Sequence, residues 1–231
     1  MKILEIFGMV DCKSVSTPME LNFKNLSGSA SRPILENPTE YHQLVGALMF
    51  FVNTHLDICF AVRTLSQQMV KPHHFLWVGA RNLLRYLRGT INHGLRYTAR
   101  SVTLLGYTDV DWAGSVVDHN STSGCSFNLG SALISWMSRK NKSVALSTLE
   151  AEYIVASMAC GESVWLRKLF SEICGHVLDT TVILCDNQSG IFLTENPMFH
   201  DRSKHIDIRY PFIRDMVQQG TIRLDHTGTD E

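Results

Sequence analysis

Three acidic residues stand where carboxylate chemistry is possible: Asp109 in LLGYTDVDWAG, Glu152 in STLEAEY and Asp186 in VILCDNQSG. An apolar strand that stops at a carboxylate delivers it to the rim of a sheet, held by the core beneath. Asp109 and Asp186 both follow such runs. Glu152 lies in a helical pattern beside Ala151 and Ala156, on a turn expected to face the sheet, where a charge is costly unless something pairs it. A single aspartate at a strand end is often only a turn or helix cap. Three in this arrangement suggest a divalent cation, and magnesium suits them because it takes carboxylate oxygens and leaves positions for water and phosphate. Two such ions about 4 Å apart stabilise the attacking and leaving oxygens of phosphodiester cleavage.

These acids need a scaffold. Residues 95–136 alternate strand-like segments with turns, at 102–107, 125–129 and 133–136, with DWAG breaking the first. Ser138 to Ser143 (SRKNKS) reads as a short basic loop. The run from Ser147 to Ile173 reads as helix, with Ser147 or Thr148 as N-cap, Glu150 in the first turn and a break expected at Gly161. Residues 181–185 form a β-branched strand ending at Asp186. Asn187 opens a further helix, 203–220 gives one more, and 221–224 a last strand. That order predicts an α/β fold: a mixed sheet with an antiparallel front and a parallel back, flanked by helices.

The first half is helical. Residues 12–38 read as an extended connection punctuated by Pro18, Gly28, Pro33 and Pro38. Apolar periods then predict helices over 39–51, over 56–69, and from Pro72 to Gly89. On the third, Arg81, Arg85 and Arg88 share one face, and Leu83, Leu84 and Leu87 point the other way. Such a row is either a solvated amphipathic face or a set of guanidiniums tracking a phosphate backbone.

The net charge of -1 over 231 residues announces no polyanion partner, but it hides an asymmetry. No acid lies between Asp57 and Asp109, where Arg63, Lys71, Arg81, Arg85, Arg88, Arg96 and Arg100 all fall. The cysteines form no C-x-x-C and the histidines no ligand spacing, so a reducing compartment is expected and zinc is not. The most apolar stretch, 44–52, is far shorter than the roughly 20 residues of a membrane span. Glu5 and Asp11 interrupt what would be a leader's apolar core. A soluble protein, neither membrane-bound nor secreted, is expected.

YTDVDWAG, STSG, ISWMSRKNKSVALSTLEAEY, VWLRKL, CDNQSG and KHIDIRYPFIRD resemble, in order, the C-terminal part of the Pol polyprotein of copia-type (Pseudoviridae) LTR retrotransposons. DCKSVSTPME, YHQLVGAL and LLRYLRGT resemble the segment just before it. The resemblance implies a helical reverse-transcriptase thumb or connection remnant over 1–94 and a ribonuclease-H-like domain over 95–231. It implies hydrolysis of the RNA strand of RNA/DNA hybrids. Asp109 would bridge two Mg2+ ions, and Glu152 and Asp186 would hold the ion near the leaving group, with Mn2+ a possible substitute. Asp111 and Glu150 fall outside that ligand set. Ser121, Thr122, Asn187, Gln188, Arg202, Lys204 and His205 become candidate hybrid contacts beside Arg81, Arg85 and Arg88. A hybrid would be read by groove shape and 2′-hydroxyls rather than base sequence. The implied setting is a cytoplasmic particle or the nucleus, with the rest of a Pol polyprotein as a partner.

The departures from that pattern carry expectations of their own. No Y-V-D-D-type motif is present, so copying of nucleic acid is not expected. The family's fourth carboxylate follows a T-x-x-Q-L-A-D-like stretch, and the sequence stops at HTGTDE just before it. The expectation is a truncated domain whose two-ion site is incomplete on one side and whose cleavage is impaired. His55-Leu56 stands where the family has Arg-Pro, and Pro211, in place of a histidine, should kink or shorten its helix. Two rival classes stay open. One is a non-catalytic retroelement remnant that only binds nucleic acid. The other is a secreted effector, because RYLR at 85–88 fits an R-x-L-R motif; it ranks low, inside a core-forming helix and with no leader before it.

Overall fold

The computed structural model describes residues 2–20, 23, 33–98, 102–114, 119–141, 144–145, 147–186 and 209–228. The chain divides into two compact units, between Gly94 and Leu95.

The first unit holds α1 (Lys2–Ile6), α2 (Thr39–Phe51), a 3-10 turn (Leu56–Ile58), α3 (Cys59–Ser66) and α4 (His74–Gly89). Each longer helix buries one stripe: Tyr41, Leu44, Val45 and Leu48 from α2, Ala61, Val62 and Leu65 from α3, and Leu76, Ala80, Leu83, Leu84 and Leu87 from α4. Tyr41 is buried with its polar tip satisfied, its hydroxyl donating to Leu65 O at 2.7 Å. The short α1 had no visible period, yet its Ile3 and Leu4 join this core. The second expected helix is shorter than its apolar pattern, ending at Ser66. The arginine face of α4 grips backbone from the chain's own start. Arg85 Nε donates to Lys13 O at 2.8 Å and Arg88 Nε to Val10 O at 2.7 Å, and Arg81 Nη2 points at Met9 Sδ at 3.3 Å.

The second unit is built on β1 (Leu104–Asp111), β2 (Thr122–Leu129), β3 (Ala132–Lys140), α5 (Thr148–Cys174), β4 (Thr181–Cys185), α6 (Arg209–Gln218) and β5 (Ile222–His226). The sheet order is β3-β2-β1-β4-β5. β1, β2 and β3 pair antiparallel, and β4 runs parallel to both β1 and β5. Helix α5 packs on β1, β2 and β4 and against α6. This order and these directions are those of the ribonuclease-H-like fold, with the expected antiparallel front and parallel back.

Close packing under α5 depends on Gly106, where a Cβ would lie 2.7 Å from Phe127 Cε1 and 3.2 Å from Ile183 Cγ1. Gly175 closes α5 in the left-handed conformation, φ 64°, with its N–H on Ser171 O. Arg167 ties the following loop to the helix, donating to Leu178 O at 2.7 Å and to Asp179 O.

Several local expectations change. β1 continues through Asp111, so Asp109 lies inside the strand opposite Gly124, and DWAG breaks the strand only after Asp111. The basic segment Ser138, Arg139 and Lys140 is strand, not loop, because it pairs with Gly124, Ser123 and Thr122. Helix α5 runs unbroken through Gly161. A glycine inside a helix costs about 1 kcal/mol, which the buried Ala159, Cys160, Ser163 and Leu166 around it offset. Helix α6 includes Pro211 and continues beyond it to Gln218. The helix expected from Asn187 and the start of the next one lie outside the described residues. No helix among the described residues is long and apolar enough to cross a membrane.

Candidate active site

The site is set by strand register. Thr108 of β1 stands opposite Cys185 of β4 in parallel pairing, so the residues that follow, Asp109 and Asp186, come side by side at the same end of the sheet. Beneath them, Thr108 Oγ1 donates to Cys185 Sγ at 3.1 Å and lies 3.3 Å from Leu184 O. On the outer side, β5 completes the rim: Thr227 N donates to Cys185 O at 3.0 Å, and His226 Nε2 lies 3.1 Å from Asp186 O.

Glu152 comes from above, one turn into α5. Ser147 caps that helix by accepting from Glu150 N at 3.2 Å, which places the glutamate over the sheet end. Asp109 and Asp186 are exposed, whereas Glu152 is only 9% exposed. Burial pushes its carboxyl up to about 7, with the charges of Asp186 and then Asp109 adding to the effect. The same surroundings act on Cys185: burial raises its thiol to about 11, against the Thr108 hydroxyl, with Glu152 and Asp186 contributing. The three acids therefore feel one another. Their carboxylates are not drawn onto a common point: among the described residues, no group of three or more His, Cys, Asp or Glu side chains stands close enough to hold a metal ion.

Asp111 takes no part in this group. It ends β1 opposite Thr122 and turns back over its own loop, so closely that a Cβ on Gly114 would lie 2.1 Å from its Oδ2. Ala113, at φ 51°, makes that turn with its N–H on Ser121 Oγ at 3.2 Å. Ser121 is fully buried and spends its hydroxyl on this loop, while Thr122 is half-buried at the start of β2. Ser123 Oγ donates to Asn141 Oδ1 at 3.0 Å and fastens the end of β3 to the same corner. Arg81, Arg85 and Arg88 lie in the first unit, on the α4 face that grips residues 9–13. Asn187, Gln188, Arg202, Lys204 and His205 lie outside the described residues. Thr108 and His226 carried no signal of their own in sequence; only the register of β1, β4 and β5 brings them to the acids.

In sequence, the chain is 39% identical over 224 residues to the retrovirus-related Pol polyprotein from transposon RE2 of Arabidopsis thaliana, covering 96% of this chain and 15% of that protein. It is 37% identical over 235 residues to the corresponding polyprotein from transposon TNT 1-94 of Nicotiana tabacum, across 100% of this chain and 18% of that one. The chain belongs to the copia-type retrotransposon Pol family. It thus spans less than a fifth of the length of these relatives. A shorter relative, secreted RxLR effector protein 161 of Plasmopara viticola, is 44% identical over 128 residues, 54% of this chain and 90% of that protein. No family model matches. Among solved structures, the foamy viral protease-reverse transcriptase bound to double-stranded DNA matches with a TM-score of 0.50 at 12% identity, over 91% of this chain and 35% of that one. The N-terminal RNase H domain of a Mycobacterium tuberculosis protein has a TM-score of 0.42 at 12% identity, over 57% and 86%. Membership in the copia-type Pol family accounts for the ordered motifs from YTDVDWAG to KHIDIRYPFIRD.

Proposed function

We propose that the second unit is the ribonuclease H domain of a copia-type Pol protein, hydrolysing the RNA strand of RNA/DNA hybrids with a divalent cation. The observation that carries this reading is Glu152, buried at the sheet rim with its carboxyl raised to about 7 by burial and by Asp186 and Asp109. Three acids in one place repel one another, and nothing in folding alone favours keeping them. A hard cation relieves that repulsion, and an all-oxygen donor set suits magnesium, or manganese in its place. Asp109, Glu152 and Asp186 fit such an ion by donor type. Asp109 and Asp186, being exposed, have the freedom to turn their carboxylates inward. When bound, the cation neutralises charge that develops on the scissile phosphate. By the family resemblance, Asp109 would serve both cation positions, and Glu152 and Asp186 the leaving-group side.

Met1–Gly94 is read as reverse-transcriptase thumb or connection, with the α4 arginines as phosphate contacts on whatever donors their grip on residues 9–13 leaves. The test is cleavage of a labelled hybrid by residues 1–231 with and without Mg2+. Magnesium-dependent cleavage lost in Asp109→Asn supports the reading; equal cleavage by both proteins ends it.

The spread of the carboxylates favours one second reading, a remnant that binds nucleic acid without cutting it. Hybrid binding without cleavage in either Mg2+ or Mn2+ is its signature. The effector reading gains nothing from RYLR, because Arg85 and Arg88 are both engaged on backbone carbonyls. Pol membership supports action inside the cell.

A further inference from the structure

The peptide planes on either side of Asp186 are both held by β5. The plane before it is fixed through Cys185 O, which accepts from Thr227 N at 3.0 Å. The plane after it is fixed through Asp186 O, which lies 3.1 Å from His226 Nε2. A carbonyl oxygen only accepts, so the ring must carry its proton on Nε2. Peptide units are rigid, and two fixed planes leave Cα between them with one φ, one ψ and one direction for its Cβ.

Resting on the reading above, we propose that His226 is a positioning residue for Asp186: its Nε2–H locks the backbone that carries the Asp186 carboxylate at the sheet end beside Asp109 and Glu152. The residue is well placed for this. His226 is the register partner of Cys185, so its ring need only lean one residue along the strand to reach the carbonyl. Among the described residues, β5 offers that carbonyl no main-chain donor, as the Thr227 N–H is already on Cys185 O. The imidazole therefore extends the β4–β5 ladder by one bond, at the residue where the chain leaves the sheet. It is exposed, and so adds little to the core whose loss would confuse the test.

The experiment has a cation-free arm and an activity arm. Nitrogen-15 NMR of the chain without divalent metal should show the neutral His226 ring protonated at Nε2; a ring protonated at Nδ1 overturns the proposal. In the second arm, His226→Gln, His226→Leu and Asp186→Asn are compared on hybrid cleavage and on Mn2+ binding. The glutamine amide offers an N–H donor and should stay within about threefold of wild type. Leucine offers none and should lose about 10- to 100-fold in kcat and in cation affinity, the size seen when a ligand's supporting partner is removed, with KM for hybrid unchanged. Leucine equal to wild type while Asp186→Asn is inactive leaves the active-site reading standing and sinks the role of His226. Glutamine as damaged as leucine sinks it too. Full activity in Asp186→Asn counts instead against the active-site reading itself. Should the leucine protein fail to fold, the ring tautomer and the glutamine variant still decide.

Discussion

Thr108 and Cys185 face each other across the parallel β1–β4 pairing, with the Thr108 hydroxyl donating to the thiol at 3.1 Å. This pair is the floor of the acid cluster: one residue further along each strand come Asp109 and Asp186. Thr108 is buried, so losing its hydroxyl leaves the sulfur and Leu184 O without that donor. Thr108→Val keeps the shape and removes the bond. It should lower stability by about 1 kcal/mol, the usual net worth of one hydrogen bond, read as a shift in denaturant midpoint at unchanged m. A midpoint equal to wild type means the contact is incidental.

Glu152 makes stability depend on pH. Its folded value is about 7 against an ordinary 4.5, held up by burial first and then by Asp186 and Asp109. Across that window the unfolded chain has already released the proton that the folded chain keeps, so rising pH favours unfolding. The loss accumulates from pH 4.5 to 7 and then levels off, at about 3 kcal/mol in all. Thermal melts without divalent metal should fall over that range, and Glu152→Gln should flatten the fall. Millimolar Mg2+ should raise the wild-type melting temperature at pH 8 and leave the glutamine variant nearly unmoved. A wild-type curve that is flat in pH contradicts the buried, repelled carboxyl.

Gly106 is predicted to tolerate no side chain. A Cβ there meets Phe127 Cε1 at 2.7 Å, closer than real contacts come, and Ile183 Cγ1 at 3.2 Å, both fully buried. Both neighbours belong to the core packed under α5. Gly106→Ala should cost about 1–3 kcal/mol, the range for overpacking, and Phe127→Leu on the same background should recover part of it. Wild-type stability in the alanine variant would mean that the strand shifts as a body. Gly161→Ala is the contrast: nothing lies within 4 Å of its Cβ, so helix propensity alone should stabilise it by up to about 1 kcal/mol.

Asp109 and Asp186 were readable in sequence because each follows a run whose burial the composition advertises, and Glu152 because its helical pattern sets it beside Ala151 and Ala156, both buried. LLGYT and TVILC can only be strands, and strands that end in acids put them at a rim. The extent of β1 was not readable, since Thr108 to Asp111 alternate exposed and less exposed positions, and their pairing is set by β2 across the turn. The same holds for Ser138 to Lys140, polar residues whose backbone pairs with Thr122 to Gly124. The expected break at Gly161 failed because a local preference of about 1 kcal/mol yields to burial on both flanks. His226 was invisible for another reason: its partner is a backbone carbonyl 40 residues away, and no periodicity reports a carbonyl.

The arginines of α4 pose a question that two measurements separate. Arg85 and Arg88 each spend Nε on a carbonyl of the first residues of the chain, at 2.8 and 2.7 Å. Arg85 Nη1 also lies 3.4 Å from Asn82 Oδ1, and among the described residues the other terminal nitrogens of the pair are left for further partners. Replacing Arg81, Arg85 and Arg88 together by glutamine should therefore loosen residues 9–13, seen as faster amide exchange there, whether or not nucleic acid is ever bound. Hybrid binding is the independent axis. Each phosphate contact contributes roughly 0.7–0.9 to the slope of log K against log salt, so a triple variant that loses two or three contacts should flatten that slope by about 2. Faster exchange with an unchanged slope makes the row a clamp for the chain's own start and nothing more. A flattened slope with it makes the same guanidiniums serve two backbones, one of protein and one of nucleic acid.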